Sequence, residues 1–167
     1  YVNRPLDDSL RHKPRSGQLD KQLERLANIL GRSAAPLIER TYALPWIIHL
    51  TGDAHQPLHT SIRLNAEGKW DPLGNGLLVN NPFSRRKTPL TLHAFWDDLP
   101  GPSWLRGDRL NAACRALIAT QSRPESSLAS AQWIEESWQI ARNSAYPSDT
   151  EAVPTLSESF FENSREI

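Results

Sequence analysis

The stretch HLTGDAHQPLH, residues 49–59, holds three of the five histidines in a chain of 167 residues, together with one aspartate. A buried structural helix has no use for so many ionisable rings, because each must find a hydrogen-bond partner or stay hydrated. A metal site does, since neutral imidazole and carboxylate are common metal ligands. The stretch therefore sets two questions: what backbone would converge these side chains, and what else in the chain could join them.

His49 and Asp53 are four residues apart. On a helix they lie on one face, about 40° from each other. Two ligand-type side chains one turn apart is the device used by zinc-binding helices. His59 lies six beyond Asp53 and on an unbroken helix would point about 120° away. Pro57 changes this, because it cannot donate to the Asp53 carbonyl and so ends or bends the helix near Gln56. A bend there can return His59 to the same cavity. His55 sits off the His49–Asp53 face and reads as a supporting or surface group. Further on, LHAFWDD (92–98) repeats the spacing with His93 and Asp97. Two helices each presenting His and Asp one turn apart is a way to build a metal site inside a helical bundle. Imidazole with a few carboxylates suits zinc, whereas oxygen-only sites suit calcium or magnesium.

Outward from this core the pattern is mostly helical. LDKQLERLANILG (19–31) carries an apolar stripe and a glycine stop. Pro36 suits the first turn of a dense apolar helix that runs to Gln56, with Pro45 expected to kink or split it. Residues 60–87 are punctuated by Gly, Asn and Pro around a short LLV run, which predicts loops with a short strand or hairpin. TPLTLHAFWDDLPG (88–101) predicts a short helix capped by Thr88, with Pro89 in its first turn. Two more helical patterns follow, SWLRGDRLNAACRALIATQ and SSLASAQWIEESWQIARNSAY. TLSESFFENSREI begins a last one. The expected fold is all-α, a single-domain bundle of five or six helices over residues 1–167 with an irregular middle.

Composition narrows the function. Formal net charge is zero, with 19 basic and 19 acidic residues. That balance argues against a protein that grips nucleic acid through a basic surface, and leaves open an enzyme meeting phosphate through metal ions. No apolar run approaches a membrane span. The single cysteine, Cys114, permits no internal disulfide and is expected to be a small buried residue. Trp46, Trp96, Trp133 and Trp138 are expected in the core. His12 and the Arg85-Arg86-Lys87 run read as solvated. Ser–His chemistry lacks a G-x-S-x-G elbow.

The motifs resemble those of the S-one/P-one type single-strand-specific nucleases, which share their fold with zinc-dependent phospholipase C. WIIHLTGDAHQPLH (46–59) looks like the family's H-x-x-G-D-x-x-Q-P-L-H, and LHAFWDD like its L-H-x-x-W-D. LGNG (73–76) is similar to the Gly-Gly-Asn between them, with Leu73 in place of the first Gly. QWIEESWQIARNSAY resembles the helix that follows. The resemblance spans nearly the whole chain and implies a cluster of three zinc ions. His49 and Asp53 would bind a first, and Asp53 would bridge to a third and take part in catalysis. His59, His93 and Asp97 would bind a second. The aromatic at Tyr1 would stack a nucleobase, and Asn3 would hydrogen-bond it. Asn75 would also contact substrate. Asp98 stands where some members carry a polar substrate-contacting residue.

The family's remaining ligands lie upstream of the position matched by Tyr1. With no Met in the chain, the sequence reads as an internal fragment truncated at both ends, able to complete one zinc site and expected to be inactive alone. The implied activity of the parent is endonucleolytic hydrolysis of single-stranded DNA or RNA to 5′-nucleotides, with 3′-nucleotidase activity beside it. The resemblance further implies a monomer that is secreted or periplasmic. The rival readings are a zinc-dependent phospholipase C, which should show a more apolar rim, and a non-catalytic helical domain with structural His/Asp pairs.

Overall fold

The computed structural model describes residues 1–7, 17–65, 67–84, 88–99, 101, 105–120, 129–148 and 151–166. His12, the 85–87 basic run and Leu128 lie outside the described residues. The described chain is all-α in class. Its helices are α1 (Leu19–Gly31), α2 (Leu37–His55), α3 (Leu92–Asp97), α4 (Gly107–Thr120), α5 (Ser130–Asn143) and α6 (Glu158–Glu166). Four two-residue strands pair in twos: β1 (Arg4–Pro5) runs parallel to β2 (Ser61–Ile62), and β3 (Leu78–Val79) antiparallel to β4 (Leu90–Thr91). β3 is the short strand expected in the irregular middle; its partner β4 falls at the start of the 88–101 segment expected to be helical, because pairing with β3 holds Leu90 and Thr91 extended.

Helix α1 forms as its stripe predicts. Leu19, Leu23, Leu26 and Ile29 are buried at i, i+4, i+7 and i+10, so the helix docks along one face, chiefly on α2. Each fully buried leucine contributes roughly 1.5–3 kcal/mol of transfer free energy. Helix α2 runs unbroken through Pro45, against the expected split. One proline deletes one ladder bond, and the rest of a 19-residue helix carries the segment through. Its apolar residues cover most of its circumference, yet only Ala43 and Ala54 are buried. Leu37, Ile38, Leu44 and Ile48 are exposed, and so is Trp46, contrary to the expectation that it is core. Trp96 and Trp138 are core and Trp133 is half-buried. Cys114, expected to be buried, is exposed on α4.

The main core joins the two ligand-bearing segments. Leu58 from the turn after α2 packs with Leu92, Phe95 and Trp96 of α3, Ala141 of α5, and Val79, Ala145 and Leu156. The Trp96 indole donates to the Ala145 carbonyl at 3.0 Å. The helix cap of α3 is Thr91, whose hydroxyl accepts from Ala94 N, and not Thr88. Residues 90–91 are drawn into β4, so the helix can begin only after them. On the opposite flank, Trp138 donates to the Pro5 carbonyl at 3.2 Å. The Arg4 guanidinium lies over the Trp138 ring and pairs with Glu135.

A buried polar knot ties the irregular middle to α5. Asp71, 2% exposed, accepts from Gly76 N at 2.9 Å. Its other oxygen lies 3.9 Å from Arg63 Nε, and the Arg63 guanidinium rests 3.6 Å over the Tyr146 ring. The Tyr146 hydroxyl is buried without a hydrogen-bond partner among the described residues. Burial first, and then the Asp71 charge, push its pKa well above the ordinary tyrosine value against the opposing field of Arg63. An unpartnered buried hydroxyl carries its full desolvation penalty. Tyr146→Phe keeps the ring under Arg63 and removes that penalty, so it should leave stability unchanged or raise it by about 1 kcal/mol. Chemical denaturation measures this, and a loss above about 1 kcal/mol would show that the hydroxyl is bonded in solution.

Candidate metal centre

The centre is built where α2 stops. Pro57 cannot pair with the Asp53 carbonyl, and the chain leaves the helix at Gln56 in extended conformation (φ −86°, ψ 115°). It re-forms as a single 3₁₀ turn, Pro57–His59. Several groups at this stop are satisfied. The Gln56 side-chain oxygen accepts from Leu58 N at 2.6 Å, and His59 N donates to the Gln56 carbonyl at 3.0 Å. The Pro57 carbonyl accepts from the hydroxyls of Thr60 and Ser61. Ser137 of α5 donates to the Ala54 carbonyl at 2.7 Å. Such saturation of buried backbone groups fixes the turn. Its result is that His59 faces back toward Asp53 instead of pointing away.

The structure brings all five of the expected ligand residues into one contiguous group. His49 Nε2 is 3.4 Å from Asp53 Oδ2, and His59 Nδ1 is 3.3 Å from Asp53 Oδ1. His59 Nε2 is 3.4 Å from His93 Nε2, with the two rings stacked at 5.0 Å. Asp97 Oδ2 is 3.4 Å from His93 Nε2, and its Oδ1 is 3.9 Å from His59 Nε2. One donor atom each from His59, His93 and Asp97 falls within 4.8 Å of the others, a group that could hold a metal ion. His59 is thus shared between the two helical pairs. His49 is the outlying member, its side chain 63% exposed against 17–19% for His59, His93 and Asp53.

Hydrogen bonding sets the protonation of the inner pair. His93 Nδ1 lies 2.8 Å from the Leu73 carbonyl, so the proton sits on Nδ1 and Nε2 carries a lone pair. His59 Nδ1 faces the Asp53 carboxylate, which likewise places its proton there. In these tautomers the two Nε2 atoms, 3.4 Å apart beside a carboxylate, are both open to a cation. A backbone carbonyl behind one imidazole and a carboxylate behind the other are the supports that metal-ligating histidines characteristically have. The residues present therefore fit a metal ion. At Asp53, burial opposes ionisation. The hydrogen bond from His59 and the fields of His59 and His49 outweigh it, so its carboxyl stays below the usual range.

The other expected residues fall around this group. Val2 N donates to the His59 carbonyl at 2.8 Å, which seats exposed Tyr1 and half-buried Asn3 beside the turn. Asn75 is exposed, and its amide donates to the Pro72 carbonyl at 2.9 Å, so it stands on the loop behind His93 and outside the cluster. His55 is apart from the cluster, with Nδ1 on the Thr51 carbonyl and its ring against Trp133. A cleft of about 910 Å³ adjoins the group, lined by His49, Asp53, Gln56 and Asp97 and by the apolar Ile48, Trp96, Leu99 and Leu117. A groove of about 1070 Å³ between α1 and α2, past Arg25, Ile29 and Tyr42, shares no residue with it.

Two supports were not read from the sequence. One is the Leu73 carbonyl, which depends on an unusual backbone: Leu73 has φ 59° and the following Gly74 φ 81°. A Cβ on Gly74 would sit 2.6 Å from a Leu58 methyl and 3.3 Å from His93 N. Position 74 therefore has no room for a side chain in this loop. The signal for it was present, since Leu73 occupies the place of a glycine in the motif. The other is Gln56, whose Nε2 donates to Asp97 Oδ1 at 3.0 Å.

A family model described as S1/P1 Nuclease matches residues 1–167, the whole chain. No curated protein matches it significantly.

A left-handed conformation costs a non-glycine residue about 1–2 kcal/mol. Glycine avoids that but loses about 0.5–1 kcal/mol more conformational entropy on folding. Leu73→Gly should therefore raise stability by about 0.5–1 kcal/mol with zinc affinity preserved. Thermal melting with a zinc titration tests both, and a destabilised variant would show that the Leu73 side-chain contacts outweigh the backbone strain.

Proposed function

This chain belongs to the S1/P1 nuclease family, and we propose on that premise that it is a zinc-dependent phosphodiesterase. The substrate is single-stranded DNA or RNA, cleaved endonucleolytically to 5′-nucleotides, with 3′-nucleotidase activity at the same centre. The observation that carries the reading is the convergence of His59 Nε2, His93 Nε2 and Asp97 with the tautomers of both rings set by their outer hydrogen bonds.

His59, His93 and Asp97 would hold one zinc ion, with three protein donors and room left for water or substrate. His49 and Asp53 would contribute to further zinc positions. Asp53 suits a bridging role because its two oxygens already face different histidines. When bound, zinc supplies Lewis acidity toward a phosphoryl oxygen and lowers the pKa of a water to about 7. The protein's own part is positional. Leu73 and Asp53 orient the two imidazoles through Nδ1, and the Leu58–Trp96 core keeps the two ligand segments at fixed separation. Tyr1, Asn3 and Asn75 would contact the nucleotide. Stacking on an aromatic is open only to an unpaired base, which favours single strands. Metal ions in place of a basic surface would hold the phosphate, in keeping with zero net charge.

No helix among the described residues is long and apolar enough to cross a membrane. A secreted or periplasmic, monomeric protein is the reading that accompanies the family. The apolar wall of the cleft, Ile48, Trp96, Leu99 and Leu117, is the one feature that favours the phospholipase alternative, against which the family match stands.

The test uses the natural gene product, assayed side by side on single-stranded DNA and on phosphatidylcholine vesicles. It should release 5′-nucleotides from DNA, lose that activity to EDTA and recover it with zinc. His93→Ala should lower the rate by about a hundredfold or more, as expected on removing a ligand whose supports alone are worth 10–100-fold. Cleavage of lipid without cleavage of DNA would contradict the proposal.

A further inference from the structure

Gln56 makes two hydrogen bonds that together fix which way its amide points. Pro57 opens the 3₁₀ turn and has no N–H, so Leu58 N is the first backbone donor there. The Gln56 Oε1 accepts it at 2.6 Å in the manner of an N-cap. With the oxygen committed, Nε2 must face the other way, and it donates to Asp97 Oδ1 at 3.0 Å, 41 residues along the chain. The orientation of the amide is thus settled by chemistry on both sides.

Asp97 needs such a partner. It is the last residue of a six-residue helix, 48% exposed, and followed by a second acid, Asp98. A carboxylate at a helix C-terminus meets the negative end of the backbone dipoles, and an exposed aspartate there is free to turn into water. The Gln56 N–H holds one oxygen, Oδ1, and leaves the other, Oδ2, on the His93 side at 3.4 Å from Nε2.

We propose that Gln56 is a positioning residue for the metal centre: it holds Asp97 so that a single oxygen is offered beside His59 and His93. This rests on the metal-centre reading given above. A one-oxygen Asp97 makes three single donors with the two imidazoles, which is the open arrangement catalytic zinc sites use. The same bond latches α3 to the turn that carries His59, so a single amide sets both the rotamer of one ligand and its spacing from another.

The variant that isolates this role is Gln56→Asn. Asparagine is a good cap for Leu58 N but is one methylene too short to reach Asp97. Zinc affinity of the metal-stripped natural gene product is measured by competition with a chromophoric chelator, with cobalt spectra reporting the ligand geometry. Gln56→Asn should weaken the site by about 10–100-fold, the usual effect of removing an outer support, with an unchanged melting temperature of the metal-free protein. In an Asp97→Ala background the same change should have no further effect, because the two residues act as one unit. Wild-type affinity in Gln56→Asn, or an equal loss in the Asp97→Ala background, would overturn the role assigned to Gln56. If Gln56→Asn fails to fold, Gln56→Ala enters the same cycle. If neither His93→Ala nor Asp97→Ala changes zinc affinity, the metal-centre reading itself is overturned, and this inference with it.

Discussion

Pro57 lacks an N–H, so the α2 ladder cannot continue past the Asp53 carbonyl. The rest of the centre depends on that one missing bond. With it, His59 would be carried to the far side of the helix, about 120° from Asp53. Without it the chain steps out at Gln56, makes one 3₁₀ turn and points His59 back at Asp53. Partners for the groups around it stabilise the stop: Leu58 N on Gln56, the Pro57 carbonyl under Thr60 and Ser61, the Ala54 carbonyl under Ser137. Leu58, fully buried, then anchors the turn in the core that also holds α3.

The shared position of His59 changes how the two His/Asp pairs relate. As separate helical motifs they would form two half-sites. In the structure His59 touches Asp53 through Nδ1 and faces His93 and Asp97 through Nε2. The orientation of the ring, and its tautomer when neutral, therefore follow from the Asp53 carboxylate. A neutral ring with its proton toward Asp53 presents a lone pair inward, and His93 does the same because of the Leu73 carbonyl. The chemistry at the centre is fixed by hydrogen bonds one layer out.

Much of this was legible in the sequence. The stripe of α1, the stop at Gln56, the short strand at Leu78–Val79 and the His/Asp spacing all follow from local rules, because each is decided within a few residues. What was not legible depends on partners distant in sequence. Pro45 stays inside a continuous helix, a tertiary outcome that local propensity does not foresee. Thr88 lost the cap of α3 to Thr91 because β4 pairs with β3. Cys114 and Trp46 are exposed because apolar side chains are assigned inward only on average. The Leu73 carbonyl and the Gln56 amide reach their targets across 20 and 41 residues, which no periodicity records.

The central claim is that His59, His93 and Asp97 bind one zinc ion. Anomalous X-ray scattering on crystals of the zinc-loaded natural gene product, collected on both sides of the zinc edge, tests it most directly. The account predicts a peak about 2.0–2.2 Å from His59 Nε2, His93 Nε2 and one oxygen of Asp97, with Gln56 still bonded to the other. Zinc elsewhere with this group empty, or bound through Nδ1 of either ring, would contradict it.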